Sequence, residues 1–241
     1  TGQADNGHIT DLYYFTWTGN DNIPDCYYGR FSAQNVSQLT PQIDKTLMYE
    51  QYTMSDPSYL DKAVLAAGED GGRTGDYGYS HADPAMHYLE DNYVNSNYGY
   101  TEVHAYYNPH TTSTASQMRN YLNAGVGYAN YSAHCSASGW ATPAFTTNYI
   151  SQMNNAGKYG VMIGNCCQSN KFDESECFGE ALLRTANKGA VGYIGGTDYT
   201  YWDEDYYWAV GVRSLQTSCS NCNSATYNAS NLGAYDRLFH T

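Results

Sequence analysis

The stretch "YGVMIGNCCQSNKFDESECFGEALLRTANKGAVGYIGG" (Tyr159–Gly196) decides how the chain is read. It opens with a short apolar run, "YGVMIGNC", that stops at Cys166. A helix follows in "CFGEALLRTANKG" (177–189), and a second apolar run, "AVGYIGG" (190–196), closes the unit. Apolar strand, helix, apolar strand is the βαβ repeat of a parallel sheet covered on both faces. Two adjacent cysteines, Cys166 and Cys167, stand where the first strand ends. They could be a nucleophile, disulfide partners, metal ligands or core residues.

The alternation extends upstream. "CYYGRFS" (26–32) reads as a strand. "VSQLTPQIDKTLMYEQYTM" (36–54) has Leu39, Ile43 and Leu47 at helical spacing. "KAVLAAG" (62–68) is a buried strand. Asp83-Pro84 opens a helix, with Asp83 as N-cap and proline at the first position. "TEVHAYY" (101–107) alternates as a strand, and "STASQMRNYLNAG" (113–125) is a helix closed by Gly125. "VGYANYSAH" (126–134) is a strand and "TNYISQMNNAG" (147–157) a helix. The expected fold is α/β, an open, mostly parallel sheet flanked by helices. No internal repeat or low-complexity tract interrupts it.

At 241 residues the chain can bury a sizeable core. Twenty-four acids against 11 bases give a net charge of −13, which argues against nucleic acid and weakly favours cationic ligands. No apolar run approaches the ~20 residues that span a membrane. The start at Thr1, low lysine content and seven cysteines suggest a processed, exported protein. The odd count leaves at least one thiol unpaired within the chain. Cys219 and Cys222 form a lone C-x-x-C, short of a zinc ribbon. Asn228-Ala-Ser230 matches a glycosylation sequon.

Ligands of open α/β sheets bind beyond the carboxyl ends of the strands. Asp70, His134, Cys167 and Thr197-Asp198 all fall at such ends. A thiol nucleophile needs a base beside it, an acid to orient that base, and donors for the oxyanion. Asp70, His134 and Cys167 can fill the first three roles. Each also has a plain structural reading: a turn at Asp70-Gly71-Gly72, a hydrogen-bonded histidine and a buried thiol.

Two segments carry a more specific signal. "ANYSAHCSASGWATP" (129–143) and "IGNCCQSNKFDESECFGEAL" (163–182) resemble the gingipain family of cysteine proteases, caspase-like in fold, and its lysine-specific members most. "TDLYY" (10–14), "IDKTLMYE" (43–50) and "YWDEDYYWAVG" (201–211) extend the likeness in order, around one small insertion at about 73–83. The resemblance implies a secreted or cell-surface bacterial endopeptidase cutting after lysine. His134 would be the base, Cys167 the nucleophile and Asp70 the orienting acid. Cys166 would point into the fold, because strand neighbours face opposite ways. The backbone N–H groups of Cys135 and Cys167 would hold the oxyanion. Asp205 would meet the substrate ammonium, Ser132 and Asn165 would line its pocket, and Trp202 would cover the lysine stem. No cofactor is expected for catalysis, and structural calcium is a possibility whose ligands the sequence does not identify. The resemblance also implies a catalytic-domain fragment (1–241), without the family's N-terminal subdomain and ending before the family domain does. It would associate with other fragments of its precursor, burying exposed strand edges.

Three departures from the family pattern bear on function. Cys135 stands where the family has glycine; it would be strained if φ is positive there, and could cross-link to Cys166 or Cys167. Asp83 falls near the pocket acid of the arginine-specific relatives and, inside the pocket, would admit arginine too. Arg73 replaces a tryptophan. Two competing readings follow: an inactive or redox-latched relative that binds basic peptides, and a zinc site of His134, Cys135, Cys166 and Cys167.

Overall fold

The computed structural model describes residues 3–5, 8–72, 77–213 and 229–239. Arg73, Cys219, Cys222 and Asn228 lie outside them. In chain order the elements are β1 (Gln3–Asp5), β2 (His8–Thr10), α1 (Val36–Glu50), β3 (Lys62–Ala67), α2 (Ala82–Asn92), β4 (Glu102–Tyr106) and α3 (Thr114–Ala124). There follow β5 (Tyr128–Ser132), β6 (Cys135–Ser136), β7 (Gly139–Trp140), β8 (Phe145–Thr146), α4 (Thr147–Ile150), β9 (Val161–Asn165), α5 (Phe178–Arg184), β10 (Gly192–Gly195), α6 (Trp202–Val210) and α7 (Ala234–Phe239).

Five strands form the central parallel sheet in the order β10-β9-β5-β3-β4. Strand alternation divides the core. Val64 and Ala66 of β3 face one side with Ala129, Met162, Met118 and Leu182. Ala63 and Leu65 face the other side with Ile163, Met86, Leu89 and Val210. Apolar residues on both faces require helices on both faces, which gives the expected αβα sandwich. From β3 the chain steps outward to β4 and then back to β5 on the opposite side. The switch point therefore lies between β3 and β5, at their carboxyl ends.

Four expectations need correction. The segment 26–32 forms no strand. Its polar groups are taken by side chains: Gln42 Nε2 and Arg184 Nε donate to the Ser32 carbonyl at 2.9 and 2.8 Å. Helix α1 forms where expected, capped by the Asn35 side chain on the Gln38 N–H at 3.1 Å. Its buried face, however, is Pro41, Gln42 and Lys45, while Ile43 and Leu47 are exposed. Lys45 Nζ donates to the carbonyls of Leu182 and Leu183 at 2.9 and 3.1 Å, which turns that face inward. Helix α4 stops at Ile150 instead of reaching Gly157. Buried Asn155 exchanges hydrogen bonds with the backbone of Gly189 at 2.7 and 3.0 Å, holding the chain in a turn. Finally, α2 begins at Ala82 with His81 before it, so Asp83 lies inside the helix and is not its cap.

Candidate active site

The loops after β3, β5, β9 and β10 meet in a cleft of about 630 Å³ lined by Asp70, His134, Cys135, Cys167, Trp202 and Asp205, among others. Each side chain reaches it for a local reason. A Cβ on Gly68 would lie 2.0 Å from the Thr142 carbonyl oxygen, so only glycine lets the chain leave β3 there and bring Asp70 round. Asp70 then serves twice. Its Oδ1 accepts from the Gly72 N–H at 2.9 Å, the expected turn, and its Oδ2 stands 3.4 Å from His134 Nε2. That leaves Nδ1 of the half-exposed imidazole for a second partner.

Tyr131 fixes the His134 backbone. Its buried hydroxyl donates to the His134 carbonyl at 2.7 Å and accepts from the Thr142 N–H at 3.2 Å, and its ring stacks on Trp140 at 4.8 Å. The sequence reading missed this residue, whose only signal was its place in the strand before His134.

Cys166 and Cys167 take opposite sides as expected, but both lie in the turn just past the end of β9, so the turn and not strand alternation sets their directions. Cys166 is in the core, 1% exposed, and is disulfide-bonded to Cys135. Cys167 is a free, partly buried thiol. It sits against Thr200, 3.5 Å from the carbonyl oxygen, with the Thr200 N–H donating to Sγ at 3.4 Å. The next residue, Gln168, has φ of 55°, a left-handed conformation uncommon outside glycine. Its N–H bonds to the Asp198 carbonyl at 2.9 Å, so the Thr197-Asp198 strand end supports the turn after the thiol. Cys135 is not among the described residues of positive φ, so replacing glycine there brings no backbone strain.

Thr200 also joins the thiol to the Asp205 carboxylate. Its hydroxyl donates to Asp205 Oδ2 at 2.7 Å. Burial raises the Asp205 carboxyl to about 6, against the lowering effect of the Thr200 hydroxyl. "WDED" proves to be the first turn of α6, where the helix dipole favours acids. Asn165 Nδ2 donates to the Asp205 carbonyl at 2.8 Å, anchoring that turn to the end of β9. Trp202 walls the cleft, stacked on Tyr77 at 5.4 Å and edge-on to His134 at 5.3 Å. Behind it, buried His81 binds Asp203 Oδ1 through Nε2 at 2.7 Å. Tyr77 and His81 come from the insertion noticed in the sequence, but nothing in the pattern assigned them a task.

Three expected pocket residues do not line this cleft, and of these Asn165 lines a neighbouring hollow that Asp205 shares. Ser132 is buried at the end of β5, and its carbonyl accepts from the Gly68 N–H at 3.0 Å, so its backbone ties β5 to the Asp70 turn. Asp83 is fully buried and does not line the cleft. Its Oδ1 accepts from the backbone and side-chain N–H groups of Asn108, at 3.2 and 3.0 Å. The zinc reading also falls, because the disulfide occupies two of its four donors. Among the described residues no three His, Cys, Asp or Glu side chains converge as a metal site.

The sequence profile of peptidase family C25 matches residues 2–240. A Lys-gingipain of Porphyromonas gingivalis is 41% identical over 232 residues, 96% of this chain and 13% of the relative. Gingipain R2 of the same organism is 30% identical over 187 residues, 76% of this chain and 24% of the relative. A solved protease structure superposes with a TM-score of 0.85 at 38% identity, covering 99% of this chain and 50% of that one. The crystal structure of the Arg-specific proteinase gingipain R gives 0.75 at 29% identity, covering 86% and 48%. The chain thus spans about an eighth of the Lys-gingipain it matches. With its profile met from end to end and its fold shared with solved relatives, the chain belongs to peptidase family C25.

Proposed function

We propose that this chain carries the catalytic site of a cysteine endopeptidase that cuts after lysine. The observation that supports it most is Thr200, which touches the free thiol of Cys167 and the pocket carboxylate of Asp205 at once. A substrate ammonium paired with Asp205 would bring its scissile carbonyl to the sulfur.

In this reading the lysine enters between Trp202 and the first turn of α6, its stem against the indole and its charge on Asp205. His134 takes the proton from Cys167 Sγ, and Asp70 steadies the imidazolium. The thiolate attacks the carbonyl carbon, and the N–H groups of Cys135 and Cys167 hold the resulting oxyanion. His134 then gives its proton to the leaving amine. Water, deprotonated by the same imidazole, hydrolyses the acyl-enzyme. Asp83 has no part in recognition, so we assign lysine over arginine. Calcium in the acid-rich loops would be structural.

The Cys135–Cys166 disulfide supports an extracytoplasmic location, since such bonds persist in oxidising compartments. The exposed apolar residues of α1, Val36, Ile43 and Leu47, support assembly with other parts of a precursor. A redox latch through Cys167 is disfavoured, because Cys135 is bonded to Cys166 and the nucleophile is free. The test is cleavage of peptides bearing Lys, Arg, Asp or Leu before the scissile bond. Lysine peptides should be cut, and Cys167→Ala should abolish cutting. Cleavage that survives Cys167→Ala would overturn the reading.

A further inference from the structure

The disulfide lies next to both groups that the proposed chemistry must hold together. Cys135 follows His134, and Cys166 precedes Cys167. Strands β5 and β9 are hydrogen-bonded neighbours with Ser132 opposite Asn165, so both pairs lie just past the same strand ends. The Cα atoms of Cys135 and Cys166 are 5.4 Å apart. The His134 carbonyl is held by the Tyr131 hydroxyl at 2.7 Å and the Ala141 N–H at 3.1 Å, whereas the imidazole has fewer restraints among the described residues. It is half exposed, with Asp70 at 3.4 Å and the Trp202 ring at 5.3 Å. Cys166 is buried in the same core cluster as Tyr131, Trp140 and Phe178, while Cys135 reaches the cleft wall. The disulfide therefore transmits the rigidity of the core to the loop that carries the base and one oxyanion donor.

We propose that the Cys135–Cys166 disulfide is a positioning strap for catalysis, fixing His134 and the Cys135 N–H against Cys167. This rests on the reading of Cys167 and His134 as nucleophile and base. The chemistry of a strap differs from that of a latch. A reductant is needed to keep Cys167 free, yet a strong dithiol also cuts the strap. One dithiol sulfur, as thiolate, attacks Cys135 Sγ from the cleft, and Cys166 leaves as the thiolate. The second dithiol sulfur then closes on the first and releases Cys135. Two electrons pass from the dithiol to the cystine, and the dithiol ends as a cyclic disulfide. Activity should accordingly rise and then fall as reductant strength increases.

The experiment titrates the native protein with a monothiol and then with dithiothreitol. It follows kcat and KM on a lysyl peptide, maps the free thiols by alkylation and mass spectrometry, and monitors the fold by circular dichroism. Opening the strap should lower kcat about tenfold or more with KM within twofold, because misplacing a catalytic group costs rate before binding. Cys167 should stay alkylatable and the fold intact. Cys135→Ser/Cys166→Ser should have this lower kcat at every reductant strength. If that variant fails to fold, the titration of the native protein decides alone. Full kcat in the opened enzyme, a change confined to KM, or free Cys135 and Cys166 thiols in the native protein would each overturn the strap. If no peptide is cut in either redox state, the peptidase reading fails. The strap is then judged by the pH profile of Cys167 alkylation: a shift on opening supports it, and an unchanged profile refutes it.

Discussion

Asp83→Asn should stabilise this protein at alkaline pH and lose that advantage in acid. Asp83 is fully buried. Burial first, and nearby Glu69 in addition, raise its carboxyl from 3.8 to about 7, although two N–H groups of Asn108 pull the other way. Its Oδ2 has no hydrogen-bond partner among the described residues. A carboxyl raised on folding binds its proton more tightly in the folded state. Its favourable contribution is complete below about pH 4 and is lost as pH rises through about 7. Between pH 5 and pH 8 that loss is at most about 2.5 kcal/mol, at about 1.4 kcal/mol for each tenfold step in affinity. The asparagine keeps an oxygen for Asn108 and never ionises. Urea unfolding of both proteins at pH 5 and pH 8 reads the difference. The variant should gain about 1–2.5 kcal/mol on wild type between the two conditions, or roughly 2–10 °C in melting temperature. An equal difference at both pH values would show that Asp83 does not titrate in this window and would refute the reasoning.

Other outcomes follow from the site and its supports. Lysine-peptide kcat/KM should rise with pH through about 6 as Asp205 ionises; Asp205→Asn should remove that limb and lower the plateau about 100-fold, near 2.7 kcal/mol. Steady-state kinetics from pH 5 to 8 check this, and a variant that keeps the limb would exclude Asp205 as its source. Arg184→Met should cost about 3 kcal/mol in denaturant unfolding, because it strands the buried Glu180 carboxylate that Arg184 Nη2 meets at 2.5 Å. Adding Glu180→Gln should recover part of the loss. His81→Phe keeps a ring beside Trp202 but drops the 2.7 Å bond to Asp203. It should raise KM about fivefold, near 1 kcal/mol, with kcat little changed; a fall in kcat alone would argue that His81 does not act on the pocket.

The parallel sheet was legible because its central strands β3, β5 and β9 are buried on both faces, β3 and β9 reading as continuous apolar runs, whereas segment 26–32 has strand-like residues but no strand to pair with. Its carbonyl at Ser32 answers to Arg184, a residue 152 positions away. The apolar spacing of α1 announced a helix but not its buried side. That side was decided by Lys45 finding two carbonyls on α5. Asp83 shows the same limit: an acid before a proline suggests a cap, and only packing against Asn108 buries it away from the cleft.

By itself the sequence determined the order of strands and helices, and hence that Asp70, His134 and Cys167 would end up on one rim, because strand ends of a parallel sheet share an edge. Tertiary structure alone decided which cysteine pairs with Cys135, which residue touches both the Cys167 thiol and the Asp205 carboxylate, and which acid lies outside the cleft. Those outcomes depend on distances between segments far apart in the chain, and local residue patterns carry no such distances.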